Sequence, residues 1–228
     1  TYFAMARGLQ EKEMEGEATG VQAMEMTKWF DTNYHYLVPE FTSDTEFSLS
    51  TTKVIDEYTQ ATELGIDTRP VLLGPVSFLL LGKSQEAGFD PLDLLDDLLP
   101  VYSEVLQRLD DAGADAVQID EPTLVADRTD EERAAYTAAY EVLADAADLD
   151  LHVATYFGSL SDNLSTALSL PVASLHVDLV HGEGQLEAAR DHGVPDDLSL
   201  SLGLIDGRNV WRADLDSLLE TVEHAIDS

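Results

Sequence analysis

The chain contains no cysteine and very little lysine. Its 228 residues include only Lys12, Lys28, Lys53 and Lys83. The lack of cysteine excludes disulfide bonds, Cys-ligated zinc and a cysteine nucleophile from this chain. The sequence also lacks an apolar run of about 18 residues, so we expect no membrane-spanning helix. It opens with no signal-peptide pattern.

Positive charge as a whole is scarce. Twelve Lys and Arg residues stand against 45 Asp and Glu residues, giving a formal net charge of −33. Such a field repels nucleic acid and anionic membranes, so we expect neither as a partner. Two interpretations of the acids remain open: the solvated surface of a cytoplasmic protein from a salt-rich, halophile-like cell, or a docking surface for a basic partner. The first predicts that stability rises with molar KCl.

Short apolar runs alternate with amphipathic segments from residue 69 onward. The runs predict strands at 70–74, 116–120, 151–157, 174–180 and 200–205, and an alternating aromatic segment predicts a sixth strand at 33–38. Near-continuous apolar strands of this kind are typical of parallel sheets that are buried on both faces.

Helical periodicity fills the segments between these strands. We predict helices at 51–64, 92–112 and 214–226, with Pro100 kinking or splitting the second of them. Thr129 and Glu132 form a capping-box pattern, which predicts a further helix through about Ala147. Residues 8–23 are polar and punctuated by glycine, which predicts a mobile loop.

This alternation predicts an α/β fold of the (β/α)8 TIM-barrel type. About six of the eight strands can be found, and the chain opens without an initiator methionine. We therefore interpret residues 1–228 as a single domain that is an incomplete fragment of a barrel. An incomplete barrel exposes strand edges, so we expect the fragment to form a non-native dimer.

Polar side chains cluster at the carboxyl ends of the predicted strands, where barrel enzymes place their sites. Asp120 and Glu121 are candidates for an acid/base pair, although neighbouring strand residues point to opposite faces. Helix capping or a supporting acceptor role is the alternative. His176 and Asp178 share a face and, with His152 or His181, could bind a divalent metal; the alternative is hydrogen-bonded core histidines.

Lys28 is the other candidate, because it stands alone among aromatic residues in the segment "MTKWFDTNYHYLVPEF". A lysine is a compact point charge suited to a flexible polyanion. The alternative is a surface lysine whose stem lies along Trp29 or Tyr34.

Five blocks together resemble the amino-terminal half of cobalamin-independent methionine synthase. They are "MTKWFDTNYHYLVPEF", "PVLLGPVSFLLLGK", "VQIDEPTLV", "LHVDLVHG" and "GLIDGRNVWRADL", in order across essentially the whole chain. The resemblance implies two face-to-face barrels and transfer of a methyl group from 5-methyltetrahydropteroyl-polyglutamate to homocysteine, forming methionine.

The resemblance also implies different roles for the two halves of the enzyme. It implies a zinc ion, held partly by cysteines in the carboxy-terminal barrel, that activates the homocysteine thiol. This cysteine-free chain then matches the non-catalytic half, and no catalytic residue or metal ligand is assigned to it. Lys28 inherits the family's contact with the folate glutamate tail. The family's other amino-terminal folate contacts, on a basic stretch, have no counterpart here.

The expected partners are therefore the folate substrate and the carboxy-terminal catalytic barrel. Asp120 and Glu121 would be a duplicated relic of the substrate site in the catalytic half. Two alternatives from other classes remain: a free-standing barrel enzyme with a His/Asp metal site, and a structural module that pairs with a separate catalytic barrel.

Overall fold

The computed structural model of the protein describes residues 2–8 and 22–226. Its strands are β1 (Met26–Lys28), β2 (His35–Leu37), β3 (Glu40–Phe41), β4 (Val71–Leu73), β5 (Lys83–Ser84), β6 (Ala116–Asp120), β7 (Asp150–Ala154), β8 (Ser174–Asp178) and β9 (Ser199–Gly203). Its helices are α1 (Tyr2–Arg7), α2 (Lys53–Glu63), α3 (Pro75–Leu80), α4 (Leu95–Asp111), α5 (Asp130–Ala144), α6 (Leu164–Leu168), α7 (Gln185–His192) and α8 (Leu215–Ile226). The mobile loop predicted at 8–23 lies outside the described residues except at its two ends.

The chain divides into two compact units. The smaller unit comprises Thr1–Thr45 and Phe78–Leu94, and the larger comprises Glu46–Ser77 and Leu95–Ser228. Helix α3 crosses the division, contributing its first residues to the larger unit and its last to the smaller one. The interpretation of residues 1–228 as one domain stays a prediction.

The larger unit is built on a parallel sheet with the strand order β4-β6-β7-β8-β9. The strands pair in chain order, and a helical segment lies between each strand and the next. All five strands predicted from residue 69 onward are therefore confirmed, with ends that differ by up to three residues. The α/β class and the parallel sheet follow from these pairings.

One face of this sheet is buried and most of the other is not, so the prediction of burial on both faces was wrong. Val117, Ile119, Leu175 and Val177 are fully buried on that face. Their neighbours point the other way because side chains alternate along a strand. That second face carries half-buried or exposed polar side chains, namely Gln118, His152, Ser174, His176 and Ser201.

Within the described residues the sheet has two outer strands, β4 and β9, and does not close into a barrel. The sixth predicted strand, at 33–38, does not join it. Instead β2 pairs with β1 in an antiparallel hairpin, in register from Met26↔Leu37 to Lys28↔His35. The backbone N–H of Trp29 donates to the carbonyl of Tyr34 at 2.7 Å, which closes the hairpin.

Helix α4 runs through Pro100 without interruption. Of the two predicted outcomes, the split into two helices was therefore wrong, and the kink stays a prediction. Proline removes the hydrogen bond to the carbonyl of Asp96. The apolar stripe of Leu98, Leu106 and Leu109 is nevertheless buried on both sides of it and holds the helix together. The capping box of Thr129 and Glu132 is confirmed at the start of α5. No helix in the described part of the chain has the length and apolar run needed to cross a membrane.

The smaller unit has its own apolar cluster. Val38, Phe41 and Leu79 are buried, and the Phe41 and Phe78 rings meet edge to face at 5.5 Å. Gly82 is required here because a Cβ at that position would lie 2.2 Å from the Phe41 ring. Parallel pairing of β3 with β5 joins the two halves of the unit.

Candidate functional site

Lys28 is the last residue of β1 and lies opposite His35 on β2. Its side chain is exposed. No described residue forms an ion pair or hydrogen bond with the Lys28 ammonium group, and no described aromatic ring lies under it as a cation–π partner. The hairpin therefore presents one positive charge to solvent at the end of a paired strand.

The aromatic residues near Lys28 stabilise the hairpin rather than cover the lysine. The Trp29 ring meets the rings of Phe30 and Tyr36 edge to face, with centroids 5.2 Å and 5.4 Å away. The Tyr36 hydroxyl donates to the Leu81 carbonyl at 3.1 Å. Lys83, by contrast, is paired with Glu25. The two lysines of this unit described by the structure thus differ, since only Lys28 remains available to a ligand.

Asp120 and Glu121 diverge at the carboxyl end of β6. Asp120 is half-buried, and its carboxylate accepts hydrogen bonds from Gln118 at 2.8 Å and from the Tyr156 hydroxyl at 3.2 Å. Glu121 is fully buried. Adjacent side chains point in opposite directions, so Asp120 lies at the edge of the sheet while Glu121 is buried. An acid/base role for the pair stays a prediction.

The Glu121 carboxylate sits in a network of buried polar groups. It accepts from the Ser77 backbone N–H at 3.0 Å and from the Tyr140 hydroxyl at 3.1 Å. Burial raises the pKa of Glu121 to about 7, against the opposing effect of the hydrogen bonds from Ser77 and Tyr140. Gly74 is required beside it, because a Cβ there would lie 1.9 Å from the carboxylate. These hydrogen bonds link Glu121, which directly follows β6, to α3 and α5.

Asp178 organises the loops that follow β7 and β8. One oxygen accepts from the backbone N–H groups of Val180 and His181 at 2.8 Å and 2.9 Å. The other accepts from the Phe157 N–H at 2.8 Å and lies 2.9 Å from the His181 ring. Burial favours a higher pKa for Asp178, but the hydrogen bonds from His181, Phe157 and Val180 together lower it. With both oxygens engaged, Asp178 fixes loop geometry.

His176 and His152 each pair with a serine on the next strand. His176 Nδ1 lies 2.9 Å from Ser201 Oγ, and His152 Nδ1 is hydrogen-bonded to Ser174 Oγ. Burial lowers the pKa of both histidines. Within residues 2–8 and 22–226, no group of three or more His, Asp or Glu side chains is arranged to hold a metal ion. The alternative of a metal site on His176 and Asp178 is thus wrong for the described residues.

The loop after β9 adds an arginine to the strand-end edge. The Arg208 guanidinium lies over the Phe157 ring at 5.1 Å, and Phe157 itself has a left-handed backbone with φ 74°. The Asp206 carboxylate accepts from the Arg208 backbone N–H at 2.8 Å and the Asn209 amide at 2.6 Å, which lowers the pKa of Asp206. These contacts fold the "DGRN" segment into a compact turn.

A family model described as "Cobalamin-independent synthase, N-terminal domain" matches residues 1–228. The chain belongs to this family. The resemblance carried by the five sequence blocks is therefore confirmed over the full length of the chain.

Two curated relatives of this N-terminal domain are named 5-methyltetrahydropteroyltriglutamate–homocysteine methyltransferase. The protein of Salinibacter ruber is 74% identical over 228 residues, covering 100% of this chain and 30% of the relative. That of Nitrobacter winogradskyi is 57% identical, covering 99% of this chain and 31% of the relative. The chain thus spans under a third of the length of these relatives.

Solved structures of low sequence identity share the fold. A B12-independent methionine synthase from Shewanella sp. W3-18-1, in complex with selenomethionine, superimposes with a TM-score of 0.68 at 15% identity, covering 85% of this chain and 60% of that one. A putative vitamin-B12 independent methionine synthase from Listeria monocytogenes gives a TM-score of 0.60 at 17% identity, covering 82% and 62%.

The sequence-predicted candidates did not include several polar residues that contact Glu121, His152 and His176. Tyr136 and Tyr140 lie one turn apart on α5 and face the Glu121 network, a spacing that could have identified them. Ser77, Ser174 and Ser201 carried no sequence signal, because their roles depend on which strand or helix comes next to them.

Proposed function

We propose that this chain is the amino-terminal, folate-tail-binding and scaffolding part of a methyltransferase. The longer enzyme would move a methyl group from 5-methyltetrahydropteroyl-polyglutamate to homocysteine, forming methionine. The observation that carries the proposal is the exposed Lys28 within the motif "MTKWF" at the end of β1, which has no ion-pair or hydrogen-bond partner among the described residues. Membership of the family supports the reaction class.

Electrostatics explains why one lysine matters in this chain. A net charge of −33 repels a polyglutamate tail, so binding the tail needs local positive charge. Lys28 supplies that charge and forms no competing ion pair with a described carboxylate. An exposed pair of opposite charges about 4 Å apart in water is worth about 1 kcal/mol, or roughly a fivefold change in affinity. Lys28 therefore binds and orients the tail and takes no part in methyl transfer.

Lys28→Ala in the longer enzyme tests this role. We expect KM for the triglutamate substrate to rise up to about fivefold, with a smaller change for the monoglutamate and little change in kcat. Steady-state kinetics with both substrates measures the difference. The matched control is Lys53→Ala, since Lys53 is exposed but paired with Glu57 on α2. An unchanged KM for the triglutamate would sink the assignment of Lys28.

The catalytic step belongs to the part of the longer protein outside this chain. The described residues offer no ligand set for zinc, and the chain contains no cysteine. As the family resemblance implies, we propose that the zinc and the activated homocysteine thiolate belong to a carboxy-terminal barrel outside this chain, and we expect the chain alone to be inactive. The open edges at β4 and β9 are consistent with a sheet that further strands complete into a (β/α)8 barrel. The excess of acidic residues also supports the proposal that the protein comes from a salt-rich cytoplasm.

A further inference from the structure

His35 lies directly opposite Lys28 in the β1–β2 hairpin. In the next pair along the hairpin, the Trp29 N–H donates to the Tyr34 carbonyl at 2.7 Å. Hydrogen-bonded and non-hydrogen-bonded pairs alternate in an antiparallel ladder, so Lys28 and His35 form a non-hydrogen-bonded pair. The side chains of such a pair are close, with Cβ atoms about 4.5 to 5.5 Å apart. The lysine and the imidazole ring are therefore neighbours on one face of the hairpin.

This face of the hairpin carries no carboxylate on its two strands. Side chains alternate along each strand, so every second residue belongs to the same face. The members of the face are Met26, Lys28, His35 and Leu37. Both Lys28 and His35 are exposed. An anionic ligand can therefore reach the two side chains together.

The other charged groups of the hairpin are directed elsewhere. Glu25 precedes β1, alternates to the opposite face and is ion-paired with Lys83. Asp31 lies in the turn between the strands and has an interaction of its own. The neighbours of His35 in the chain alternate away from it; they are Tyr34 and Tyr36. Lys28 is thus the charged group that faces His35 across the pair.

One hydrogen bond sets the proton position on the His35 ring. Nδ1 lies 3.0 Å from the Asn33 carbonyl oxygen, which can only accept, so Nδ1 carries a proton. Nε2 has no hydrogen-bond partner among the described residues. In a neutral ring this nitrogen is an acceptor and cannot bind a carboxylate. In a charged ring it carries a second proton and donates. A carboxylate bound at Nε2 therefore requires the imidazolium form.

We propose that His35 is a second contact for the glutamate tail, beside Lys28, and that it binds a tail carboxylate as an imidazolium. This inference rests on the proposed binding of the tail by Lys28. A polyglutamate tail repeats its carboxylates along a flexible chain, so two neighbouring cations can bind two of them or share one. Like charges directly opposite each other in a hairpin are unfavourable, and a carboxylate between them removes that penalty. Because the contact needs the extra proton, binding of the tail takes up a proton and its affinity rises as the pH falls.

Steady-state kinetics of the longer enzyme with the triglutamate substrate tests this contact. The measurements are made at about pH 6 and about pH 8.5, near the two ends of the range in which imidazole groups change charge. His35→Gln should raise KM about two- to fivefold at the lower pH and change it little at the higher pH, with kcat nearly unchanged at both. His35→Arg keeps a charge throughout and should keep KM low at both pH values. His192→Gln is the matched control, because His192 is an exposed histidine at the end of α7, and it should leave KM unchanged.

Lys28→Ala, measured in parallel, separates this inference from the proposed function. A purely structural role for His35 would raise KM by the same factor at both pH values, and His35→Arg would not restore it. That result, or an unchanged KM for His35→Gln at about pH 6, overturns the inference. A raised KM in Lys28→Ala would then leave the role of Lys28 standing. If both variants leave KM unchanged, the proposed tail-binding function fails as well. Retained kcat shows that each variant is folded.

Discussion

Replacing Glu121 with glutamine should raise the free energy of unfolding, relative to the parent protein, more at pH 8 than at pH 5. The carboxyl group of Glu121 is fully buried, and burial raises its pKa from 4.5 to about 7. Because the folded-state pKa is the higher one, the folded state binds the proton more tightly than the unfolded state does. The stability associated with this proton is fully present below the unfolded pKa of 4.5 and is lost as the pH rises through 7.

The size of the effect follows from the difference between the two pKa values. A rise from 4.5 to about 7 is 7 − 4.5, or about 2.5 units, which corresponds to about 3 kcal/mol at 1.36 kcal/mol per unit. About 2 to 3 kcal/mol of it should appear between pH 5 and pH 8. Glutamine stays neutral at both pH values. It can still accept from the Ser77 N–H while its amide donates to the Tyr140 hydroxyl.

Urea unfolding of the parent and Glu121→Gln proteins at pH 5 and pH 8, in the same concentration of KCl, measures the difference. The comparison between variants removes the pH dependence that the many surface carboxylates share. Glu141→Gln is the matched control, since Glu141 lies on α5 beside Tyr140 but is exposed. If the difference in unfolding free energy between Glu121→Gln and the parent is the same at both pH values, the carboxylate carries no burial penalty and the reasoning fails.

Two further predictions concern the whole surface. The melting temperature should rise between low salt and molar KCl, because salt screens the repulsion among the acidic side chains of a chain with a net charge of −33. A melting temperature that stays the same or falls as KCl is added would contradict this. The isolated chain should self-associate through the apolar side chains exposed near β9, since Ile205, Leu215 and Leu219 are 62%, 57% and 55% exposed. Sedimentation equilibrium should show a dimer that Leu219→Asp weakens, and a monodisperse monomer would oppose the idea.

Local patterns predicted the elements of this protein well. The apolar runs located all five parallel strands, and the Thr129–Glu132 pair located the start of α5, because strand periodicity and capping depend on residues close in sequence. Pro100 predicted a kink or a split for the same reason, and the split was wrong. Its local penalty is real, yet the buried leucines on either side keep α4 continuous.

Local sequence patterns did not predict which strands pair with each other. The alternating segment 33–38 has the pattern of a strand, but nothing in its composition says whether it joins a parallel sheet or folds back on β1. The apolar pattern of the strands likewise did not predict that the second face of the sheet is open, since burial of that face depends on which other elements cover it. Non-local contacts decide both questions.

The sequence by itself determined the family, the α/β class and the acidic net charge, because these depend on motifs, periodicity and composition. Its choice of Lys28 stays a prediction. Only the tertiary structure separated Asp120 from Glu121, since one carboxylate stays at the sheet edge while the other is buried among Ser77 and Tyr140. It also brought His152 and His176 next to serines on neighbouring strands that are far apart in sequence. The physical reason is the same in both cases: desolvation and hydrogen bonding depend on neighbours that only chain folding brings together.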